Sequence, residues 1–328
     1  MRIPRSYLEK ADGLEDKEYV YRADTNGFIG PFFQGDSADL TIAFQGGSTT
    51  ECQAMEEKNR FPYLAARLLE SNGASIRSFN AGVSGSYTIQ AINILINKVL
   101  PLNPDISVYM ENVNDFALLL YQKTYWGALR PQIVTNKRGP IREMISHLMK
   151  TLIPHLTFEL NNYLAAHAAT VDDFAQARGY HAAADTALVL EKYSKAIETY
   201  VAICQANGIL PVLMTQGSRF TEQPDPFISK VTAPMVKQGL SYGEMRYFHR
   251  AFNEQIRRIA AKHSIPMIDL EAAIPQSNRY LYDLVHMNDS GSILAGKCIR
   301  KTLQPIVDSM INARKKLPSA PIYSHSGI

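Results

Sequence analysis

The sequence predicts an α/β protein, a three-layer α/β/α arrangement in which a five-stranded parallel sheet is covered by helices on both faces. Three observations carry that prediction. Five short runs rich in Ile, Val, Leu or Phe show little alternation with polar residues, the pattern of strands buried on both sides. Segments with helical periodicity lie between them, and strands alternating with helices build parallel sheets. Finally, 328 residues with 46% hydrophobic side chains suffice to fill a core on each face.

Taken in order, residues 1–40 read as a lead-in, and 41–44 (TIAF) as the first strand, which runs into Gly46-Gly47-Ser48 and then a helix over 51–69. The second strand is 76–83 (IRSFNAGV), followed by a helix over 89–99; the third is Ile106–Met110 (ISVYM). About 100 residues then pass before the fourth strand, far more than an ordinary connection, so a helical insertion is expected between strands 3 and 4, at about 116–180. Its apolar residues Ile145, Leu148, Met149, Leu152, Ile153 and Leu156 recur at helical steps, and Pro154 can kink or divide that helix. A helical subdomain packed on the sheet is the plain expectation. A lid or acceptor-binding wall is a second, because insertions after strand C-termini lie where such sheets bind ligands, and a membrane-surface helix is a third. Thr186–Ala206 reads as a crossover helix into the fourth strand, 209–215 (ILPVLMT), and a helix over 243–263 precedes the fifth, 265–270 (IPMIDL). The domain so drawn spans 41–310 with a flavodoxin-like sheet, and 311–328 is a tail.

Charge and cysteine content narrow the function. Lys and Arg total 34 against 31 Asp and Glu, a net +3 spread along the chain, so no basic arm calls for nucleic acid. Cys52, Cys204 and Cys298 lie far apart without a CxxC pair or a histidine at ligand spacing, so they read as reduced packing residues rather than a disulfide framework or a zinc site. The first residues lack the apolar stretch of a signal peptide, and no run is long enough to span a membrane. A cytoplasmic protein is expected as the chain is written, and a secreted or periplasmic one if a signal peptide has been removed. HExxH, a P-loop and a glycine-rich dinucleotide turn are all missing, so neither cofactor nor metal is expected. Nothing in the sequence indicates an oligomeric state.

In a doubly wound sheet the ligand site lies at the C-terminal strand ends. The first end delivers Gly46-Gly47-Ser48-Thr49-Thr50-Glu51, placing Ser48 at a helix N-terminus, where free backbone N–H groups favour developing negative charge. The same letters also spell a capping box, Ser48-x-x-Glu51, which explains both residues without catalysis. The second end is Asn80-Ala81-Gly82-Val83-Ser84-Gly85-Ser86 and the third Glu111-Asn112-Val113-Asn114-Asp115; a glycine N–H and an asparagine amide are the donors an acyl-transfer site needs for its oxyanion. After the last strand, Asp283-x-x-His286 can bring a carboxylate to one imidazole nitrogen while the other takes a proton from Ser48, although a helix cap with a solvated histidine would look the same. Of the eight histidines, His286 has this context; the others fall in helical patterns, at their edges, or in the tail. Ser37, in Gly35-Asp36-Ser37, leads into the first strand and reads as a turn. Arg219 and Tyr282 border the expected site by proximity in the chain alone.

The ordered set Gly46-Gly47-Ser48, Asn80 to Gly85, Asn112-Val113-Asn114-Asp115 and Asp283-Leu284-Val285-His286 resembles the four blocks of the SGNH hydrolases, the GDSL esterase/lipase family, from about residue 40 to 305. The resemblance implies that Ser48 is the nucleophile, His286 the general base and Asp283 its orienting carboxylate, with the backbone N–H groups of Ser48 and Gly85 and the Asn114 amide as oxyanion hole. Two positions depart from the family: Gly47 stands where its motif has Asp, and Asn112 where it has Gly. Asn112 is compatible with an unusual backbone angle, since Asn visits the left-handed region readily. The implied reaction is serine-dependent hydrolysis of a small acyl ester through an acyl-enzyme, the substrate being a small molecule or a saccharide ester such as an O-acetylated sugar. Acyl transfer to a hydroxyl acceptor by the same triad, and a non-catalytic binding protein on the same fold, are the alternatives.

Overall fold

The computed structural model describes residues 8–35, 37–70, 73–125, 185–237 and 239–316. Its five strands, β1 (Leu40–Gly46), β2 (Ile76–Gly82), β3 (Ile106–Met110), β4 (Leu210–Met214) and β5 (Met267–Ile268), run parallel in the order β2-β1-β3-β4-β5. The register sets Gly46 level with both Gly82 and Met110, so three loops leave the sheet side by side at one edge.

The apolar runs split by strand parity into two cores. Ile42 and Phe44 of β1, Ile106 and Val108 of β3, and Val212 of β4 face α2 (Phe61–Leu69) and α9 (Asp289–Lys316). Ala43, Tyr109 and Leu213 face the opposite way, against α3 (Thr88–Ile94), α4 (Val113–Gln122), α5 (Thr186–Ala206) and α7 (Tyr242–His263). That division explains why the strand sequences show so little polar alternation. Each fully buried Ile, Leu or Val contributes about 1.5–3 kcal/mol. The last helix, α9, presents Ala295, Ile299, Leu303, Val307 and Ile311 as one buried stripe and runs past residue 310 to Lys316.

Where local detail differs from expectation, the cause is local. The helix expected over 51–69 is broken into α1 (Ser48–Glu51), a 3₁₀ turn at Glu57–Asn59, and α2. Cys52 closes α1 in the left-handed region at φ 59°, and Pro62, which cannot donate within a helix, sits in the first turn of α2. The helix expected over 89–99 is α3 followed by a π turn at Leu95–Val99. By contrast, α5 has its expected bounds, and α7 starts at a Ser241/Glu244 capping box. The fifth strand shrinks to two residues, the shortest in the sheet. Of the insertion expected at 116–180, the first residues belong to α4, and positions 126–184 lie outside the described residues, as does the tail from 317.

The lead-in is tied to the domain. Ile29 bridges Asn80 of β2, and the buried Arg60 guanidinium donates to the carbonyls of Val20 and Gly30 as well as to that of Cys52 at 3.1 Å. Two further helices complete the frame, α6 (Pro226–Lys237) and α8 (Leu270–Ala273). Among the described residues, no helix is long and apolar enough to cross a membrane. Cys52 and Cys204 are buried and Cys298 half-buried, all three unpaired; burial pushes the Cys52 and Cys204 thiols up to about 12, as befits packing residues.

Candidate active site

The turn after β1 exists because glycine stands at its tightest point. A Cβ on Gly46 would lie 2.1 Å from the Met110 carbonyl oxygen, so no other residue lets β1 and β3 stay paired to their ends. Gly47 is the N-cap of α1, without any side-chain capping bond, and Ser48 is its first residue. A residue there has a backbone N–H with no partner inside the helix.

Ser48 Oγ lies 2.6 Å from His286 Nε2, and His286 Nδ1 lies 2.7 Å from Asp283 Oδ2. The other carboxylate oxygen, Asp283 Oδ1, accepts the backbone N–H groups of Val285 at 2.9 Å and His286 at 2.7 Å. Because an ionised carboxylate only accepts, the Nδ1 facing it carries the proton and Nε2 is left to accept from Ser48. The turn holding these residues is closed by the Leu281–Met287 bridge, with the Tyr282 N–H on the His286 carbonyl at 3.0 Å. Tyr282 is buried and stacks on the imidazole, ring centroids 5.6 Å apart and planes within 6°. Arg219, also buried, supports the turn from behind: its N–H reaches the Leu284 carbonyl at 2.8 Å and its guanidinium pairs with Asp12 and Asp225.

Glu51 does not form the capping box that its spacing suggests. Its buried carboxylate turns away from Ser48 and accepts from Ser84 N–H at 2.8 Å, from the Ser84 and Tyr21 hydroxyls, and from Gln53 Nε2 at 2.8 Å. This anchors the loop in which Gly85 takes the left-handed angle φ 73°. The same loop is held from its far side by the third strand end: Asn114 Nδ2 donates to the Ser86 carbonyl at 2.8 Å, and the Asp115 carboxylate takes the Thr88 N–H at 3.1 Å. Ser48, Gly85 and Asn114 thus sit just past three strand ends that are laced to one another. Burial raises the Asp115 carboxyl well above the usual carboxylate range, against the opposing hydrogen bonds from Tyr125 and Thr88.

Behind these strand ends lies a polar layer of which sequence reading singled out Asn112 but not its partners. Asn112 has φ −157°, outside the left-handed region, so its tolerance does not come from that angle; its amide instead donates to the His249 carbonyl at 2.8 Å and Asn253 Oδ1 at 2.9 Å. Asn253 in turn takes the Gln216 N–H at 3.0 Å, and Gln216 Nε2 reaches Thr49 Oγ1 at 3.2 Å, linking α7 to α1. His249 is wholly buried, and burial followed by the nearby Arg257 charge drives its pKa down to about 3, so it stays neutral. Such residues are ordinary helix and strand-end letters in the sequence, with no spacing to mark them. Ser37, the serine that matches the family's spelling, is exposed ahead of Leu40, at the opposite end of β1 from Ser48. A groove of about 800 Å³, lined by Phe220, Arg246, Tyr247, Arg250, Arg257 and Gln276 among others, lies along α7, and neither Ser48 nor His286 lines it.

A parallel α/β sheet with a hydrogen-bonded Ser–His–Asp chain at its C-terminal edge has the form of an SGNH-type hydrolase. Residues 44–292 match the GDSL-like lipase/acylhydrolase family, and the chain belongs to it: it is an SGNH/GDSL-type esterase, a carboxylic ester hydrolase. Among solved structures, it is similar to an alpha/beta hydrolase enzyme from the metagenome of Lake Arreo, Spain, at 14% identity over 81% of this chain and 96% of that one, TM-score 0.48. It is also similar to an acetylxylan esterase from Geobacillus stearothermophilus, at 15% identity over 81% and 94% of the two chains, TM-score 0.47. Comparison with curated protein sequences returns no match.

Proposed function

We propose that Ser48, His286 and Asp283 are the catalytic triad of this esterase, and that it releases small acyl groups, with an O-acetylated saccharide as the substrate to try first. The observation that carries the triad is the continuous chain from Ser48 Oγ to His286 Nε2 at 2.6 Å and from His286 Nδ1 to Asp283 at 2.7 Å. Ser48 attacks the ester carbonyl while His286 takes its proton, and Asp283 steadies the imidazolium that forms. The oxyanion is received by the backbone N–H groups of Ser48 and Gly85 and by the Asn114 amide, which the Ser86 carbonyl holds in place at 2.8 Å. His286 returns the proton to the leaving alcohol, then activates water to free the acyl group and regenerate Ser48.

Hydrolysis of short-chain p-nitrophenyl esters and of acetylated xylo-oligosaccharides by the parent, Ser48→Ala and Ser37→Ala tests the reading. Ser48→Ala is expected to lose about 10³-fold or more in kcat, and Ser37→Ala to match the parent. Activity that survives Ser48→Ala but is lost with Ser37→Ala refutes the triad. Ester consumed only when an alcohol or sugar acceptor is added refutes hydrolysis in favour of acyl transfer.

A further inference from the structure

We propose that Glu111 is a positioning residue of the nucleophile turn: its carboxyl, brought in from the end of β3, occupies the space that a side chain at position 47 would fill, and packs the Asn114 amide in place. The inference rests on the triad assignment above and explains the departure at Gly47.

An ideal Cβ on Gly47 would lie 2.3 Å from Glu111 Oε2 and 2.6 Å from Asn114 Nδ2. One small volume is therefore claimed by three groups, and two of them already fill it. Glu111 is 1% exposed, and its Oε1 accepts the backbone N–H groups of Asn112 at 2.9 Å and Asn114 at 3.4 Å, so the side chain cannot swing away without uncapping α4. Its other oxygen, Oε2, is buried with no hydrogen-bond partner. An ionised oxygen left so would be costly, whereas a neutral carboxyl tolerates the place. The surroundings act in that direction. Burial, then the charge of Asp115, raises the Glu111 carboxyl far above its ordinary value, against the lowering effect of the Asn112 and Asn114 backbone N–H groups and of the adjacent Asn114 side-chain amide. The other titratable groups facing it among the described residues are Tyr109 and Tyr193, the latter donating to the Glu111 carbonyl at 2.7 Å, and neither supplies a positive charge. A neutral Glu111 next to Asn114 puts no like charge beside the oxyanion; an ionised one does.

The test is a double-mutant cycle of Gly47→Asp and Glu111→Ala, read by Tm and by kcat and KM, together with the pH profile of Glu111→Gln. Gly47→Asp alone is expected to lower Tm and to cut kcat about 100-fold, with KM changed less than about threefold; adding Glu111→Ala should recover kcat about tenfold or more and restore part of the Tm loss. A double variant no better than Gly47→Asp alone in Tm overturns the shared-space inference. In the parent, kcat/KM should fall on the alkaline side as Glu111 ionises, and Glu111→Gln should remove that fall while keeping activity at neutral pH; an alkaline limb identical in both overturns the electrostatic role. Absence of any Ser48-dependent turnover in the parent would instead refute the esterase triad, and the Tm cycle would still decide where Glu111 sits.

Discussion

Asp283→Asn tests the most specific feature of the triad, the way its carboxylate is held. Oδ1 accepts two backbone N–H groups, at 2.7 and 2.9 Å, so an asparagine keeps both bonds only with its carbonyl oxygen there and its NH2 facing His286 Nδ1. The imidazole must then carry its proton on Nε2, and that nitrogen can no longer accept from Ser48. Flipping the amide to rescue the tautomer sets its NH2 against two N–H donors, at about 1 kcal/mol or more each. The imidazolium also loses its counter-charge. At an effective dielectric constant of about 20 that attraction is about 4 kcal/mol at 4 Å, reduced to about 2–3 kcal/mol for side chains that are 20% and 19% exposed. Together these come to about 4–5 kcal/mol, or a loss of about 10³–10⁴-fold in kcat/KM. Steady-state hydrolysis of p-nitrophenyl acetate from pH 6 to 9 measures it, with labelling of Ser48 by a fluorophosphonate as an independent reading of nucleophilicity. A variant within tenfold of the parent at any pH in that range would refute the tautomer argument.

Three further outcomes are expected. Glu51→Ala removes the acceptor for Ser84, Tyr21 and Gln53, so the Gly85 loop loosens: kcat should fall about 10–100-fold with little change in KM, and Tm should drop, by about 3–5 kcal/mol of lost stability in chemical denaturation. Gly46→Ala forces β1 away from the Met110 carbonyl and should cost roughly 3 kcal/mol or more, lowering Tm in calorimetry by about 4–5 °C or more. The pH dependence of stability follows from the raised Glu111 and Asp115 carboxyls. The folded chain holds protons that the unfolded chain releases above about pH 4, so stability should fall as pH rises from there through the neutral range and level off once both groups ionise. Tm measured against pH should show that decline in the parent and a smaller one in Glu111→Gln.

Strand positions were legible because buried parallel strands are apolar on both faces, and β3 and α5 have the bounds that pattern implies. The break at Cys52 was not, since a left-handed cysteine leaves no mark in periodicity, although Pro62 was a visible reason to begin a helix at that point. At the site, the four motif blocks each reach the expected sheet edge, and Ser48, His286 and Asp283 meet in hydrogen-bonding contact. Glu51 illustrates the opposite case: spacing alone favours a cap on its own helix, but burial against Ser84 and Tyr21 offers it stronger partners from distant segments.

By itself, then, the sequence determined the layered α/β architecture and the order in which serine, glycine, asparagine and aspartate–histidine blocks arrive at the strand ends, because both follow from periodicities and short spacings within the chain. Only the tertiary structure decided what supports those blocks. That Glu111 lies over Gly47, that Asn112 bridges to α7, and that Tyr21 and Arg219 brace loops far from them in sequence are contacts made in space, between residues whose own neighbours along the chain give no hint of them.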